Sequence, residues 1–224
     1  MVRYEVEIKS LLGDTERARA LQEKMRMLDP ETTLTSKNTQ LNHYFEGGAV
    51  AVLLENTRNL FLNDAQERLV FMVEKGADFS VRTRQKDAEV FLVVKASVDG
   101  GTSSNTVSRL EFEEPVSCAL AELDELLLSA GFRYQAKWSR EREEYLCKGF
   151  NVCLDRNAGY GYVAEFEKMV EDESALAGAR LEIEQFMEEV GAIELPQERL
   201  ARMFAHYNQN WAEYYGTEKI FVIT

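Results

Sequence analysis

Up to about residue 170 the chain alternates apolar and polar residues with period two, and beyond it the apolar residues recur at helical spacing. Tyr4-Glu-Val-Glu-Ile-Lys9 sets the pattern, with Tyr4, Val6 and Ile8 on one face of a strand and Glu5, Glu7 and Lys9 on the other. Ala18, Leu21, Met25 and Leu28 then predict a helix over Glu16–Leu28, capped by Asp14 or Thr15 and stopped by Asp29-Pro30. Thr39 to Phe45 reads as a strand with Gln40, Asn42 and Tyr44 opposite Leu41, His43 and Phe45, broken by Gly47-Gly48. From 49 to 76 the apolar spacing is irregular, which predicts one or two short helices beside the main fold.

Strand signals resume at Phe79, where Arg82 and Arg84 face away from Val81 and Thr83. In Glu89 to Ala96, Phe91, Val93 and Lys95 alternate with Leu92, Val94 and Ala96. A Gly100-Gly101 loop leads to Val107–Glu113, with Arg109, Glu111 and Glu113 on one face and Pro115 as the terminator. Ser117 is the expected cap of a helix carrying Leu120, Leu123, Leu127 and Leu128, closed by Gly131. Phe132 to Cys147 reads as one long strand that groups Trp138, Arg140, Arg142 and Glu144. Asn151 to Asp155 returns, and after the Gly159-Tyr-Gly161 turn Tyr162 to Met169 sets Glu165 and Glu167 opposite Ala164 and Phe166. Helices are expected over Leu176–Val190 and Gln197–Tyr215, and Ile220–Ile223 as a short strand or packed tail. No repeat or linker divides the chain, so 1–224 reads as one domain with an insertion at 46–78 and a helical part at 172–216.

Composition narrows the function. A formal net charge of -13 and a pI near 4.8 argue against general binding to nucleic acid or an anionic membrane surface. No apolar run approaches the roughly 20 residues that span a bilayer, and the start is polar from Arg3, so a cytoplasmic location is the default expectation. Cys118, Cys147 and Cys153 lack CxxC spacing, which disfavours a zinc site and leaves reduced, half-buried thiols as the expectation. His43 and His206 lie in unrelated contexts and support no Ser/His/Asp triad.

Eight strands joined mostly by short turns predict an α+β fold, an antiparallel sheet curled towards a barrel with helices packed outside. Strand after strand carries charge on one face. A lumen lined by such a face is costly without ligands, because desolvating each unpaired ion costs several kcal/mol. Carboxylate pairs suit Mg²⁺ or Mn²⁺ shared with phosphate oxygens, and arginines grip phosphate bidentately.

The chain resembles the CYTH superfamily, the triphosphate tunnel metalloenzymes that include class IV adenylyl cyclases and thiamine triphosphatases. The resemblance rests on Glu5-x-Glu7-x-Lys9, Arg82-x-Arg84, Lys95, Arg109-x-Glu111-x-Glu113, Arg140-x-Arg142, Asp155, the Gly159-Tyr-Gly161 turn and Glu165-x-Glu167, in family order over about residues 3 to 170. It implies an eight-stranded tunnel for a triphosphate. Glu5, Glu7, Glu165 and Glu167 would ligate metal, with Glu111, Glu113 and Asp155 in or near the metal shell. Lys9, Arg82, Arg84, Lys95, Arg109, Arg140 and Arg142 would bind phosphate, with Lys9, Glu165 and Glu167 as the catalytic candidates. Three departures are visible: Arg140 where many members carry lysine, Asn42 where aspartate is common, and the long insertion after Phe45.

The favoured expectation is Mg²⁺- or Mn²⁺-dependent hydrolysis of ATP, tripolyphosphate or an organic triphosphate by a monomer or homodimer. The alternatives are a lyase reaction, cyclisation of ATP to cyclic AMP and pyrophosphate, and a non-catalytic triphosphate or polyphosphate sensor. Trp211, Tyr207 and Phe204 sit at helical spacing and read as core rather than as a base-stacking platform.

Overall fold

The computed structural model describes residues 4–97 and 109–223, so the Gly100-Gly101 loop and the Val107 end of its strand lie outside the described residues. The side chains of Glu5 and Arg109 lie outside them too. Eight strands form one antiparallel sheet: β1 (Tyr4–Gly13), β2 (Thr33–Gly47), β3 (Ala77–Lys86), β4 (Glu89–Ser97), β5 (Arg109–Val116), β6 (Phe132–Cys147), β7 (Phe150–Asn157) and β8 (Gly161–Val170). Their order is β1-β8-β7-β6-β2-β3-β4-β5. The helices are α1 (Thr15–Leu28), α2 (Val50–Thr57), α3 (Asn63–Lys75), α4 (Leu120–Ser129), α5 (Leu176–Val190) and α6 (Gln197–Tyr214). None of the described helices is long and apolar enough to cross a membrane.

The chain divides into two compact units, residues 1–39 with 139–224 and residues 40–138. In the first, Ile8 of β1, Val152 and Leu154 of β7, and Ala164 and Phe166 of β8 pack against Leu21 and Met25 of α1 and Ile183, Phe186 and Met187 of α5. Asp14 caps α1 by accepting the Arg17 amide at 2.9 Å. Of the three α6 aromatics expected in the core, Tyr207 is fully buried with its ring 5.7 Å from that of Tyr160, whereas Trp211 is half-buried and Phe204 is exposed. Gly161, at φ +71°, opens β8 where a β-carbon would lie 2.0 Å from the Gly13 carbonyl oxygen. Only glycine fits there.

In the second unit, Phe45, Val81, Leu92, Val94 and Phe112 of the sheet meet Leu53 of α2, Leu69 and Met72 of α3, and Leu123 and Leu127 of α4. The segment of irregular spacing therefore forms two helices that cover a sheet face. A buried polar knot sits in this layer: Asp124 of α4 accepts from Thr83 at 2.6 Å and Tyr134 at 2.8 Å and lies 2.7 Å from His43 Nδ1. Burial pushes the Asp124 pKa up, but hydrogen bonds from His43, Thr83 and Tyr134 outweigh it and hold the carboxyl below its ordinary range.

Three details depart from the sequence reading. β5 runs through Pro115 to Val116, since it is the last strand in the order and its outer side needs no amide donor. Ala119, not Ser117, takes the cap position of α4, and the Glu122 carboxylate accepts the Ala119 amide at 2.9 Å. In β6 the buried positions are even at its start (Phe132, Ala136) and odd at its end (Tyr145, Cys147), so its alternation changes phase midway.

Candidate active site

Directly opposed residues on antiparallel strands project to the same face. In the first unit, β1 and β8 oppose Lys9 to Glu165 and Glu7 to Glu167. β7 and β8 oppose Cys153 to Glu165 and Asn151 to Glu167, and β6 and β7 oppose Arg142 to Asp155. The face away from Ile8, Val152 and Phe166 thus carries the predicted charges, and they are linked. Lys9 Nζ pairs with Glu7 and lies 3.0 Å from Glu165 Oε1. Arg142 Nη2 donates to Glu165 Oε2 at 2.5 Å and to Asp155 Oδ2 at 2.6 Å, while its Nε donates to Asp155 Oδ1 at 2.7 Å. Arg140 Nη1 donates to Asp155 Oδ2 at 2.7 Å.

The energetics follow from burial. Asp155 is 1% exposed, and in place of water its oxygens take the fork of Arg142 and a further bond from Arg140. Burial pushes the Glu165 pKa up, but Lys9, Arg142 and Arg140 more than offset it and hold the group at about 2. For Arg142, burial alone favours deprotonation, and Asp155 and then Glu165 reverse this and push its pKa well up. Burial also pushes the Cys153 thiol up. The surroundings thus favour the charged forms of both Glu165 and Arg142.

In the second unit the same construction recurs. Asn42 opposes Arg84 and Tyr44 opposes Arg82 across β2 and β3, and Lys95 opposes Glu111 across β4 and β5. Arg84 donates Nε to Asn42 Oδ1 at 2.9 Å and Nη1 to Glu113 Oε1 at 2.6 Å. Lys95 Nζ lies 3.0 Å from Glu111 Oε1. Arg82 is partnered differently. Its Nη1 donates to the Tyr44 hydroxyl at 2.7 Å, its guanidinium carbon stands 5.4 Å from that ring centroid, and its buried Nε has no hydrogen-bond partner. Asn42 supports an arginine from the place where aspartate was expected.

The structure brings Glu7, Lys9, Arg140, Arg142, Asp155, Glu165 and Glu167 into one cluster, and joins Arg84 to Glu113 and Lys95 to Glu111 in the other unit. Sequence reasoning gave Asn151 no role and set Cys153 aside as a metal ligand for want of CxxC spacing. Asn151 Nδ2 donates to Glu167 Oε2 at 2.6 Å, and Cys153 Sγ is 3.8 Å from Glu167 Oε1. Both alternate with Asp155 along β7, so the signal was present, but neither carries a charge. One donor atom each from Cys153, Glu165 and Glu167 lie within 4.8 Å of one another. Ligands about 2.0–2.3 Å from an ion stand up to about 4.5 Å apart across it, so this donor set fits a divalent cation.

Comparison with known proteins agrees with this architecture. The CYTH domain family model matches residues 3–199. No curated protein matches the sequence. Among solved structures, a Pyrococcus horikoshii protein is 22% identical, with 91% of this chain and 99% of that chain covered at a TM-score of 0.59. A putative adenylate cyclase from Vibrio parahaemolyticus is 15% identical over 92% of this chain and 99% of its own, at 0.57. A putative adenylyl cyclase from Hippeastrum, described as having a dominant triphosphatase activity, is 18% identical over 91% and 96%, at 0.50. With the family match spanning most of its length and these folds aligned to it, the chain belongs to the CYTH domain family.

Proposed function

We propose that this protein is a divalent-metal-dependent triphosphatase that binds a small triphosphate-containing molecule and transfers its terminal phosphoryl group to water. One observation carries the reading: the linked series Lys9, Glu165, Arg142, Asp155 and Arg140 on one sheet face, with the acids of Glu7 and Glu167 beside it. A solvated salt-bridge network has no need to bury Asp155 and Glu165 at 1% and 9% exposure. A site for a metal-bound polyanion does.

Glu165 and Glu167, with Glu5 and Glu7 of β1, would hold the Mg²⁺ or Mn²⁺. The bound ion supplies charge neutralisation on the phosphate oxygens. Each Glu165 oxygen accepts from one cation and keeps a lone pair for a further partner. Arg142 uses Nε and Nη2 on Asp155 and Glu165, which leaves the Nη1 hydrogens for a phosphate oxygen. Asp155 fixes that guanidinium together with Arg140, and we assign it to holding the arginines. Lys9 follows charge from Glu7 and Glu165 to the transferred phosphoryl oxygens. We assign Arg82, Arg84, Lys95 and Arg109 to phosphate binding, as the CYTH resemblance implies. Arg82 supports this most directly, since its described side-chain contacts are with one neutral residue, the hydroxyl and ring of Tyr44.

In the reaction, a water oxygen bonds to the terminal phosphorus as the phosphorus bond to the bridging oxygen breaks, the leaving phosphate chain carries away that electron pair, and the water proton passes to solvent. Glu165, held at about 2, is too weak a base to take the water proton near neutrality. Glu167, oriented by Asn151, is assigned to positioning the water. The cations stabilise charge that gathers on the phosphoryl oxygens.

The test is incubation with tripolyphosphate and, separately, ATP, each with Mg²⁺ or Mn²⁺, followed by chromatographic separation. Orthophosphate is the expected product. Cyclic AMP with pyrophosphate would replace hydrolysis by cyclisation, and metal-dependent binding without turnover of either compound would mark a sensor.

A further inference from the structure

Cys153 lies on the wrong face of its strand for a packing residue. The apolar core of its unit takes Val152 and Leu154 from β7, while Cys153 shares the opposite face with Asp155 and opposes Glu165 across the ladder. It is nonetheless 1% exposed, and its surroundings are charged or polar: Arg142, Glu165, Glu167, Asp155 and Asn151. The Asn151 amide donates to Glu167 Oε2 at 2.6 Å and to Cys153 Sγ at 3.6 Å, orienting both side chains at once.

The separations suit shared coordination. Cys153 Sγ stands 3.8 Å from Glu167 Oε1. With metal–sulfur and metal–oxygen bonds of about 2.3 and 2.1 Å, a sulfur and an oxygen on one ion are about 3.6 Å apart in a tetrahedral site and about 3.1 Å at adjacent octahedral positions. The observed separation is near the tetrahedral value. Thiolate is a soft ligand that Mg²⁺ does not seek, whereas Zn²⁺, Co²⁺ and Cd²⁺ do.

We propose that Cys153 is a metal ligand alongside Glu165 and Glu167, and that its sulfur makes the site favour thiophilic divalent ions over Mg²⁺. The inference rests on the reading of Glu165 and Glu167 as a metal centre. On binding, the Sγ–H proton passes to solvent as the sulfur–metal bond forms, with no change of oxidation state.

The experiment is titration of the metal-stripped protein with Co²⁺ alone and with Mg²⁺ alone, followed by calorimetry and near-ultraviolet absorption. The expected result is a thiolate-to-Co²⁺ charge-transfer band that Cys153→Ser abolishes, with Co²⁺ affinity lowered at least about tenfold and Mg²⁺ affinity within about twofold. X-ray absorption at the cobalt edge of the wild-type protein needs no variant, and it should show one sulfur ligand. Co²⁺ bound without sulfur, or equally tightly by Cys153→Ser, would overturn the role of Cys153 and leave the metal centre standing. Failure of the wild-type protein to bind either ion would overturn both.

Discussion

Lys9 and Glu165 stand opposite each other across the β1–β8 ladder, with Lys9 Nζ 3.0 Å from Glu165 Oε1 while the same ammonium also pairs with Glu7. One cation therefore bridges the carboxylate pairs of two strands, at the junction where a phosphate would arrive. Lys9→Met is expected to lower kcat/KM for tripolyphosphate about 100-fold, equivalent to about 2.7 kcal/mol of transition-state stabilisation. Steady-state kinetics measure this, and a decrease under threefold would remove Lys9 from the reaction.

Asp155→Ala should be among the most destabilising changes in the first unit. It strips both Arg140 and Arg142 of a carboxylate that is 1% exposed, and breaking a buried ion pair costs about 3–5 kcal/mol. The Lys148–Glu189 pair, 2.9 Å apart but about half exposed, gives the contrast: Glu189→Ala should cost less than about 1 kcal/mol. Urea unfolding of the two variants decides it.

Gly161→Ala and Gly149→Ala separate backbone strain from collision. Both positions have positive φ, +71° and +81°, but only at 161 would the new β-carbon strike a carbonyl oxygen, that of Gly13. Gly149→Ala should cost about 1 kcal/mol from conformation alone. Gly161→Ala should cost clearly more, shown as a larger fall in melting temperature.

Asp124 ties stability to acidity in the second unit. Its pKa is lowered in the fold, so its ionised form contributes stability above the ordinary aspartate range, and this is lost as pH falls through it. Asp124→Asn removes the contribution at every pH. The wild-type advantage over this variant at pH 7 should shrink in acid below the ordinary aspartate range. Denaturant titrations at pH 7 and in that acid range measure the difference, and a constant gap would refute the assignment.

Much of this was legible because period-two alternation reports a half-buried strand directly. Glu5 to Lys9, Arg82 to Arg84 and Glu165 to Glu167 announce a charged face from local spacing alone. What local spacing cannot carry is register between distant strands. That Arg142 serves Asp155 and Glu165 depends on how β6, β7 and β8 align. The phase change within β6 was hidden because Trp138, Arg140 and Arg142 satisfy a simple alternation as well as a broken one. Pro115 read as a terminator because the identity of the outermost strand is a property of the whole sheet. Asn151 carries no charge and Cys153 lacks CxxC spacing, so neither stands out locally, and their place among the charges shows only once the β7–β8 register is known.

The alternation on β8 has a corollary for folding errors. Slipping β8 by one residue against β7 would turn Phe166 out among Arg142 and Asp155, and drive Glu165 and Glu167 into the layer of Ile183 and Phe186. A one-residue slip therefore loses the apolar interior and the charged face together. Chains slipped by one residue should thus be discarded as unfolded protein.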